Sequence, residues 1–246
     1  MNRPSFFMIL FYSGMLLVSC QEMEEGDILS QNNTKNKILP LGASRVEGNR
    51  PDYESYRYDL WKLLISDQAE FDFVGTKFDA GNYPAFQGLE FDRDHEGHGG
   101  WNSEQILNEL PDYLEETGPP DIVLWSAPGG NDALEFLPYE EVRARLYDII
   151  RVLQAENPDV TILIEQMAPA KSEIMTPELE SYFANLQSLV QDIAQTESTA
   201  RSHIVPVNMF DGFTDALLAD DVHYNAEGAA FVASRYYAEL IKVLDE

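Results

Sequence analysis

The chain has little cysteine and little positive charge. Its 246 residues include one cysteine, Cys20, so no disulfide can form within the chain and no metal site can be built from several thiolates. Lys and Arg number 16 against 43 Asp and Glu, which gives a formal net charge of −27 at pH 7. A surface of that charge repels phosphates, so we expect no nucleic-acid partner.

Long apolar runs and nucleotide-binding motifs are also missing. The longest apolar stretch, residues 6–18, is shorter than the roughly 20 residues that a membrane-spanning helix needs. No phosphate-binding loop with Lys and Ser or Thr follows any predicted strand, and no dinucleotide fingerprint does either. We therefore expect no cofactor.

The start of the chain has the pattern of an export signal with a site for lipid attachment. Arg3 precedes the apolar stretch, which ends in Leu-Val-Ser-Cys at residues 17–20 and resembles the lipobox of bacterial lipoproteins. We interpret residues 1–20 as a lipoprotein signal peptide, Cys20 as the lipidated residue and residues 21–36 as a flexible tether. The protein is then extracytoplasmic and anchored to a membrane through Cys20, with the outer membrane or the cell surface as the expected location.

Residues 37–246 are enough for one domain with its own core. Short apolar runs predict five strands, and segments with apolar residues at helical spacing predict helices between them. This alternation favours a parallel sheet that is covered by helices on both faces. The predicted strands are residues 38–41, 71–75, 122–125, 160–165 and 204–207. The predicted helices are residues 56–67, a helix capped by Ser103, and residues 139–155, 177–196 and 225–244; residues 77–102 are predicted to be irregular.

Four separated segments carry the groups that an acyl-transfer site needs. Residues 42–45, 99–102, 129–132 and 220–223 supply a hydroxyl, a backbone N–H, a side-chain amide, and an imidazole near a carboxylate. The first, third and fourth segments follow the first, third and fifth predicted strands. Because the carboxyl ends of parallel strands meet at one edge of the sheet, these groups are expected to form one hydrolytic site.

These segments occur in the order found in SGNH hydrolases, also called GDSL esterases and lipases, and the resemblance covers about residues 37–243. Residues 39–48, 58–61, 73–75, 96–101 and 119–124 are similar to segments of the acetylxylan esterases among them. The resemblance implies a flavodoxin-like three-layer α/β/α sandwich with a five-stranded parallel sheet. It also implies a serine esterase that hydrolyses short acyl esters, acetyl above all, of a carbohydrate or another small ester substrate.

The resemblance assigns a catalytic triad. Ser44 would be the nucleophile and His223 the base that takes its proton and returns it to the leaving alcohol. Asp220 would orient the imidazole, with the adjacent Asp221 as the alternative.

The resemblance also assigns an oxyanion hole. Its donors would be the backbone N–H groups of Ser44 and Gly100 and the side-chain amide of Asn131. Gly97 and Gly99 are alternatives to Gly100.

Three positions depart from the family pattern. Ala43 stands where an Asp usually precedes the nucleophile, Gly130 stands in place of a Thr before the asparagine, and Tyr224 replaces a Pro after the final histidine. Gly130 can reshape the acyl pocket, and Tyr224 either stacks on a sugar or packs.

Two further groups of residues have a functional and a structural interpretation. A polar cluster in the 92–98 segment is interpreted as a loop that lines the cleft in preference to a metal site, so no metal is expected. Two tryptophans are interpreted as packing residues in preference to sugar platforms. The cluster is Asp92, Asp94, His95, Glu96 and His98, and the tryptophans are Trp101 and Trp125.

Two other functions remain open at this point. One is a lipase, lysophospholipase or thioesterase-like hydrolase, which would need an apolar trough for a long acyl group. The other is a surface glycan-binding lipoprotein whose hydrolase fold no longer turns over substrate.

Overall fold

The computed structural model of the protein describes residues 36–244. Cys20, the signal peptide of residues 1–20 and nearly all of the tether of residues 21–36 lie outside the described residues, so these assignments stay predictions. Within residues 36–244, no helix has the length and apolar character that crossing a membrane requires.

The described residues form seven strands and seven α-helices. The strands are β1 (Lys37–Gly42), β2 (Asp72–Phe73), β3 (Lys77–Phe78), β4 (Asp94–Gly97), β5 (Ile122–Trp125), β6 (Thr161–Gln166) and β7 (Ile204–Asn208). The helices are α1 (Ser44–Glu47), α2 (Arg57–Ser66), α3 (Ser103–Thr117), α4 (Gly130–Leu134), α5 (Tyr139–Glu156), α6 (Pro177–Glu197) and α7 (Ala226–Leu244), with a 3₁₀ turn at Asp215–Leu217.

The five predicted strands form one parallel sheet in the order β2-β1-β5-β6-β7. This is the flavodoxin-like order, and it confirms the predicted fold class. In the described part of the chain the sheet has seven strands instead of five, because β4 pairs with β1 beyond the end of β2 and β3 pairs antiparallel with β4. The sequence Asp-His-Glu-Gly of β4 has no apolar residue, so hydrophobic periodicity could not predict it.

Helices cover both faces of the sheet. Successive strand residues point to opposite faces, so neighbouring residues pack against different helices. Ile38 and Leu124 pack in one apolar cluster together with residues of α2 and α7. Leu39 and Val123, their neighbours in sequence, pack in the other cluster with residues of α3, α5 and α6. The result is a three-layer α/β/α sandwich, as predicted.

The start of α3 differs from its prediction. Asn102 caps the helix instead of Ser103: its Oδ1 accepts hydrogen bonds from Glu104 N at 3.1 Å and Gln105 N at 3.3 Å, and Gln105 Oε1 accepts one from Asn102 N. The Ser103 hydroxyl donates instead to Asp132 Oδ1 at 2.6 Å. Ser103 therefore ties α3 to α4, and the capping role falls to the preceding residue.

Candidate active site

The turn between β1 and α1 places Ser44 at the carboxyl edge of the sheet. Gly42 ends β1 with a φ of 154°, and a Cβ atom at this position would lie 2.9 Å from Ser126 O. Only a residue without a side chain lets β1 pass this close to the end of β5. α1 then begins at Ser44.

The structure brings Ser44, His223 and Asp220 into one chain of hydrogen bonds. His223 Nε2 lies 2.9 Å from Ser44 Oγ, and His223 Nδ1 lies 2.7 Å from Asp220 Oδ2. The other carboxylate oxygen of Asp220 accepts from the backbone N–H groups of Val222 and His223, at 2.9 and 2.8 Å. Asp221 is exposed and its carboxylate makes no hydrogen bond within the described residues. Asp220 is thus the carboxylate that contacts the imidazole.

The surroundings of Asp220 keep it ionised. Burial alone would raise its pKa, but the backbone N–H of Val222, the imidazole and the backbone N–H of His223 together lower the pKa to about 2. At neutral pH Asp220 is therefore an anion that can hold the Nδ1 proton of His223 and stabilise an imidazolium.

Tyr53 covers one face of the His223 ring. The two ring centroids are 3.9 Å apart and the planes differ by 14°. The next residue, Glu54, donates its backbone N–H to Tyr224 O at 2.9 Å, which ties this segment to the histidine loop. No sequence pattern points to Tyr53, because nothing in the sequence around it marks a residue that packs against a distant histidine.

Arg45, directly after Ser44, links α1 to two other loops. Its guanidinium donates to Val222 O at 2.9 Å, to Ala168 O at 2.9 Å and to Pro169 O at 3.2 Å. It also lies over the ring of Tyr224, 4.8 Å from the ring centroid. Tyr224 is fully buried, so it packs under the site and cannot stack on a sugar. Arg45 is a second residue that the sequence analysis left without a role.

The glycines of residues 97–100 differ in what their backbones contact. A Cβ atom at Gly97 would lie 2.4 Å from Glu47 N, so this glycine allows β4 to pack against α1. Gly99 donates its N–H to Glu47 Oε2 at 2.8 Å. Gly100 is exposed, has a φ of +81° and makes no N–H hydrogen bond within the described residues. Of the three candidates, Gly100 has the N–H group that remains available to a ligand.

Asn131 lies in the first turn of α4, just beyond β5. Its Nδ2 donates to Trp101 O at 2.7 Å, so the side-chain amide is tied to the segment that carries Gly100. The amide has a second N–H for another acceptor. Trp101 stacks on His98 with ring centroids 4.1 Å apart, whereas Trp125 is 1% exposed and packs in the core.

A small apolar cavity of about 40 Å³ opens beside Ser44 and Asn131. We call it the apolar cavity. Gly130 forms part of its wall, and a Cβ atom there would lie 3.6 Å from Ala127 Cβ and from Met167 Sδ. Its other walls include Ile106, Leu134 and Phe183.

The polar cluster of the 92–98 segment is held by contacts within the fold. Glu96 is buried and accepts from the backbone N–H of Thr76 at 2.7 Å and from its hydroxyl at 3.0 Å, while His98 Nε2 contacts the same carboxylate. Burial lowers the pKa of His95 to about 2, so this side chain is neutral. None of the five cluster residues lines the apolar cavity, whereas His95 lines a separate cavity beside Tyr53. Within residues 36–244, no three His, Cys, Asp or Glu side chains are grouped as a metal ion would require.

Residues 71–231 match the model of the GDSL-like lipase/acylhydrolase family, and the chain belongs to this family. It is a carboxylic ester hydrolase. The matched stretch includes Gly100, Asn131, Asp220 and His223, and Ser44 precedes it. No curated protein matches the chain.

Solved structures similar to this chain include carbohydrate esterases. A carbohydrate esterase family 3 structure from Talaromyces cellulolyticus is 27% identical, with a TM-score of 0.72 over 85% of this chain and 98% of the other. An acetyl esterase mutant with acetate ion is 28% identical, with the same TM-score and coverage. A Clostridium thermocellum family 3 carbohydrate esterase is 28% identical, with a TM-score of 0.67 over 85% of this chain and 96% of the other.

Proposed function

We propose that this protein is a serine esterase that removes short acyl groups, acetyl above all, from carbohydrate. The observation that carries the proposal is the hydrogen-bonded chain from Ser44 Oγ through the His223 imidazole to the Asp220 carboxylate. A hydroxyl, a base and an ionised orienting group in this order are what acyl transfer to a serine requires.

In the first half of the reaction, Ser44 Oγ attacks the ester carbonyl carbon while its proton passes to His223 Nε2. The carbonyl oxygen becomes an oxyanion, which the N–H groups of Ser44, Gly100 and Asn131 stabilise. The tetrahedral intermediate collapses, the bond to the alcohol oxygen breaks, and the imidazolium gives its proton to that oxygen. The alcohol leaves and the acyl group stays on Ser44.

In the second half, a water molecule takes the place of the alcohol. His223 accepts a proton from this water as it attacks the acyl-enzyme carbonyl. The second tetrahedral intermediate uses the same three donors. Its collapse breaks the bond to Ser44 Oγ, which recovers the proton from the imidazolium, and the carboxylic acid is released.

The apolar cavity supports a short acyl group. Its volume of about 40 Å³ accommodates a methyl group, and its walls include the apolar side chains of Ile106, Met167 and Phe183. A lipase or lysophospholipase would need room for a long chain at this point. The likeness to carbohydrate esterases and to an acetyl esterase with acetate ion supports an acetylated carbohydrate as the substrate.

The test is hydrolysis of p-nitrophenyl acetate and p-nitrophenyl octanoate by the full chain and by Ser44→Ala. We expect acetate turnover that the variant loses, and little turnover of octanoate. Labelling by a fluorophosphonate should occur in the wild type and not in Ser44→Ala. A folded wild type that hydrolyses neither ester and takes no label would favour the glycan-binding alternative, and preferential octanoate turnover would favour the lipase.

We also propose that the enzyme is a lipoprotein anchored through Cys20 on the outer membrane or the cell surface. The support is the pattern of residues 1–20 in the sequence. Changing Cys20→Ser should move the protein out of the membrane fraction. A Cys20→Ser variant that still sediments with membranes and incorporates labelled fatty acid would contradict lipidation at this residue.

A further inference from the structure

A second cavity, of about 520 Å³, begins one helical turn after the nucleophile. We call it the Phe78 groove. Ser44 O accepts the backbone N–H of Gly48, and Gly48 and Glu47 line the groove. It shares no lining residue with the apolar cavity. The lining of the Phe78 groove includes Glu47, Asn49, Arg50, Tyr53, Phe78 and Asp79.

Tyr53 links the groove to the histidine of the triad. Tyr53 lines it and at the same time stacks on the His223 ring, with centroids 3.9 Å apart. In ester hydrolysis the acyl half of the substrate lies beside the oxyanion donors. The alcohol half must lie where the imidazole can protonate its oxygen. With the acyl group in the apolar cavity, the alcohol half can extend past Tyr53 into the Phe78 groove.

Phe78 gives this groove an aromatic surface. Its side chain is 66% exposed, the highest value among the exposed large apolar side chains of the described chain. The guanidinium of Arg93 lies 5.5 Å from the ring centroid and supports it. A pyranose has an apolar face of C–H groups and a rim of hydroxyls, so it suits an exposed ring that is surrounded by polar groups.

The charges in the groove are balanced. Two acidic and two basic side chains line it, in a protein whose net charge is −27. Each of them has a partner of opposite sign, so the groove offers no unpaired charge to an ionic ligand. The pairs are Lys77 with Glu47 at 3.6 Å, Arg50 with Glu54 at 2.8 Å, and Arg57 with Asp79 at 2.7 Å.

We propose that the Phe78 groove binds the uncharged sugar of the ester substrate, with Phe78 stacking on the apolar face of a pyranose and Asn49 and Tyr53 facing its hydroxyls. This inference rests on the proposed esterase function and adds to it the site and class of the leaving alcohol.

The first test compares two substrates. Phe78→Ala should lower kcat/KM for acetylated xylotetraose about 3- to 10-fold, mainly by raising KM, because stacking on the ring is lost. It should lower kcat/KM for p-nitrophenyl acetate by a smaller factor, since the alcohol half of that ester is one ring with no linked sugars to hold in the groove. Phe78→Trp should retain the wild-type preference, and Phe210→Ala, which removes another exposed phenylalanine, should behave as wild type.

The second test measures binding without turnover. Neutral xylotetraose, mannotetraose and cellotetraose, and anionic tetragalacturonate, are titrated by calorimetry into Ser44→Ala and into Ser44→Ala with Phe78→Ala. At least one neutral sugar should bind, more weakly after loss of Phe78, and tetragalacturonate should not. No binding of any neutral sugar, or an equal Kd with and without Phe78, would overturn the inference. If the esterase proposal itself is wrong, the wild type will not hydrolyse p-nitrophenyl acetate. The two failures can therefore be told apart.

Discussion

At the scale of single residues, the site depends on side chains that hold the backbone of residues 99–101 in place as well as on the side chains of the triad. Glu47 holds Gly99, Asn131 holds Trp101, and Gly100 lies between the two fixed points. An oxyanion hole has to be rigid before the charge develops, because donors that reorganise during the reaction lose their advantage. In the proposed mechanism these two contacts hold the Gly100 N–H and the Asn131 amide in place before the oxyanion forms.

The first prediction concerns Asn131→Ala. We expect kcat for p-nitrophenyl acetate to fall about 10²–10³-fold, because one donor to the oxyanion is lost. The thermal unfolding midpoint should change little, since the side chain is only partly buried. Asn185→Ala, on the exposed side of α6, is the matched control and should keep full activity. Turnover within a factor of three of wild type would exclude Asn131 from the oxyanion hole.

The second prediction concerns Arg45→Lys, which keeps the charge and loses the forked geometry. A lysine cannot reach the three carbonyls of Val222, Ala168 and Pro169 together, so we expect the free energy of unfolding to fall by about 1–3 kcal/mol. Activity should fall as well, because Val222 directly precedes the histidine.

Urea unfolding and the kcat for p-nitrophenyl acetate measure the two effects of this change. Arg143→Lys, on an exposed stretch of α5, serves as the control. Equal stability and equal activity in Arg45→Lys would show that the three hydrogen bonds do not hold the histidine loop.

The reacting residues could be proposed from the sequence, whereas their supports could not. Ser44, Asn131 and His223 each follow a predicted strand, so the topology alone placed them at one edge. The sequence also favoured Asp220 over Asp221 and Gly100 over Gly97 and Gly99. The structure places the Asp220 carboxylate on the imidazole and leaves the N–H of Gly100 without an acceptor in the described residues. Tyr53 and Arg45 act through partners more than a hundred residues away, and one sequence carries no signal for such pairs.

At the scale of elements, hydrophobic periodicity predicted the strands and helices that pack in the hydrophobic core. The five main strands and the long helices have apolar faces, and they appear within a few residues of their predicted ends. β3 and β4 exist because of backbone hydrogen bonds and polar side chains, such as the contact of Glu96 with Thr76, and periodicity cannot detect them. β3 lines the Phe78 groove, so the proposed sugar site could not be predicted from hydrophobic periodicity.

The third prediction concerns the wall between β6 and α4. Met167 directly follows β6 and limits the apolar cavity, so Met167→Ala should make room for a longer acyl group. We expect the ratio of kcat/KM for p-nitrophenyl butyrate to that for acetate to rise about 10-fold, with a loss of stability of about 2–5 kcal/mol. Met175→Ala, at a residue that packs against the same core outside the cavity, should leave the ratio unchanged. An unchanged ratio in folded Met167→Ala would place the acyl group elsewhere.

At the scale of the whole molecule, an excess of acidic residues makes stability depend on pH. Most carboxylates are exposed, but Asp92 lies between the strands at the edge of the sheet and accepts the backbone N–H of Phe73 at 2.7 Å. Burial, with smaller contributions from the charges of Asp94 and Asp72, raises the pKa of Asp92 to about 7 against the lowering effect of the backbone N–H donors. In the unfolded chain an aspartate has a pKa of about 3.9.

The fourth prediction follows from this difference. The folded state binds the Asp92 proton more tightly than the unfolded state, so the stabilisation is complete below about pH 4 and is lost as the pH rises through about 7. Asp92→Asn resembles the protonated carboxyl and cannot ionise. The free energy of unfolding of this variant minus that of wild type, from urea titrations, should therefore increase between pH 5 and pH 8. Asp112→Asn, at an exposed position on α3, should show a constant difference across this range. A constant or decreasing difference for Asp92→Asn would mean that Asp92 already ionises with an ordinary pKa in the folded protein.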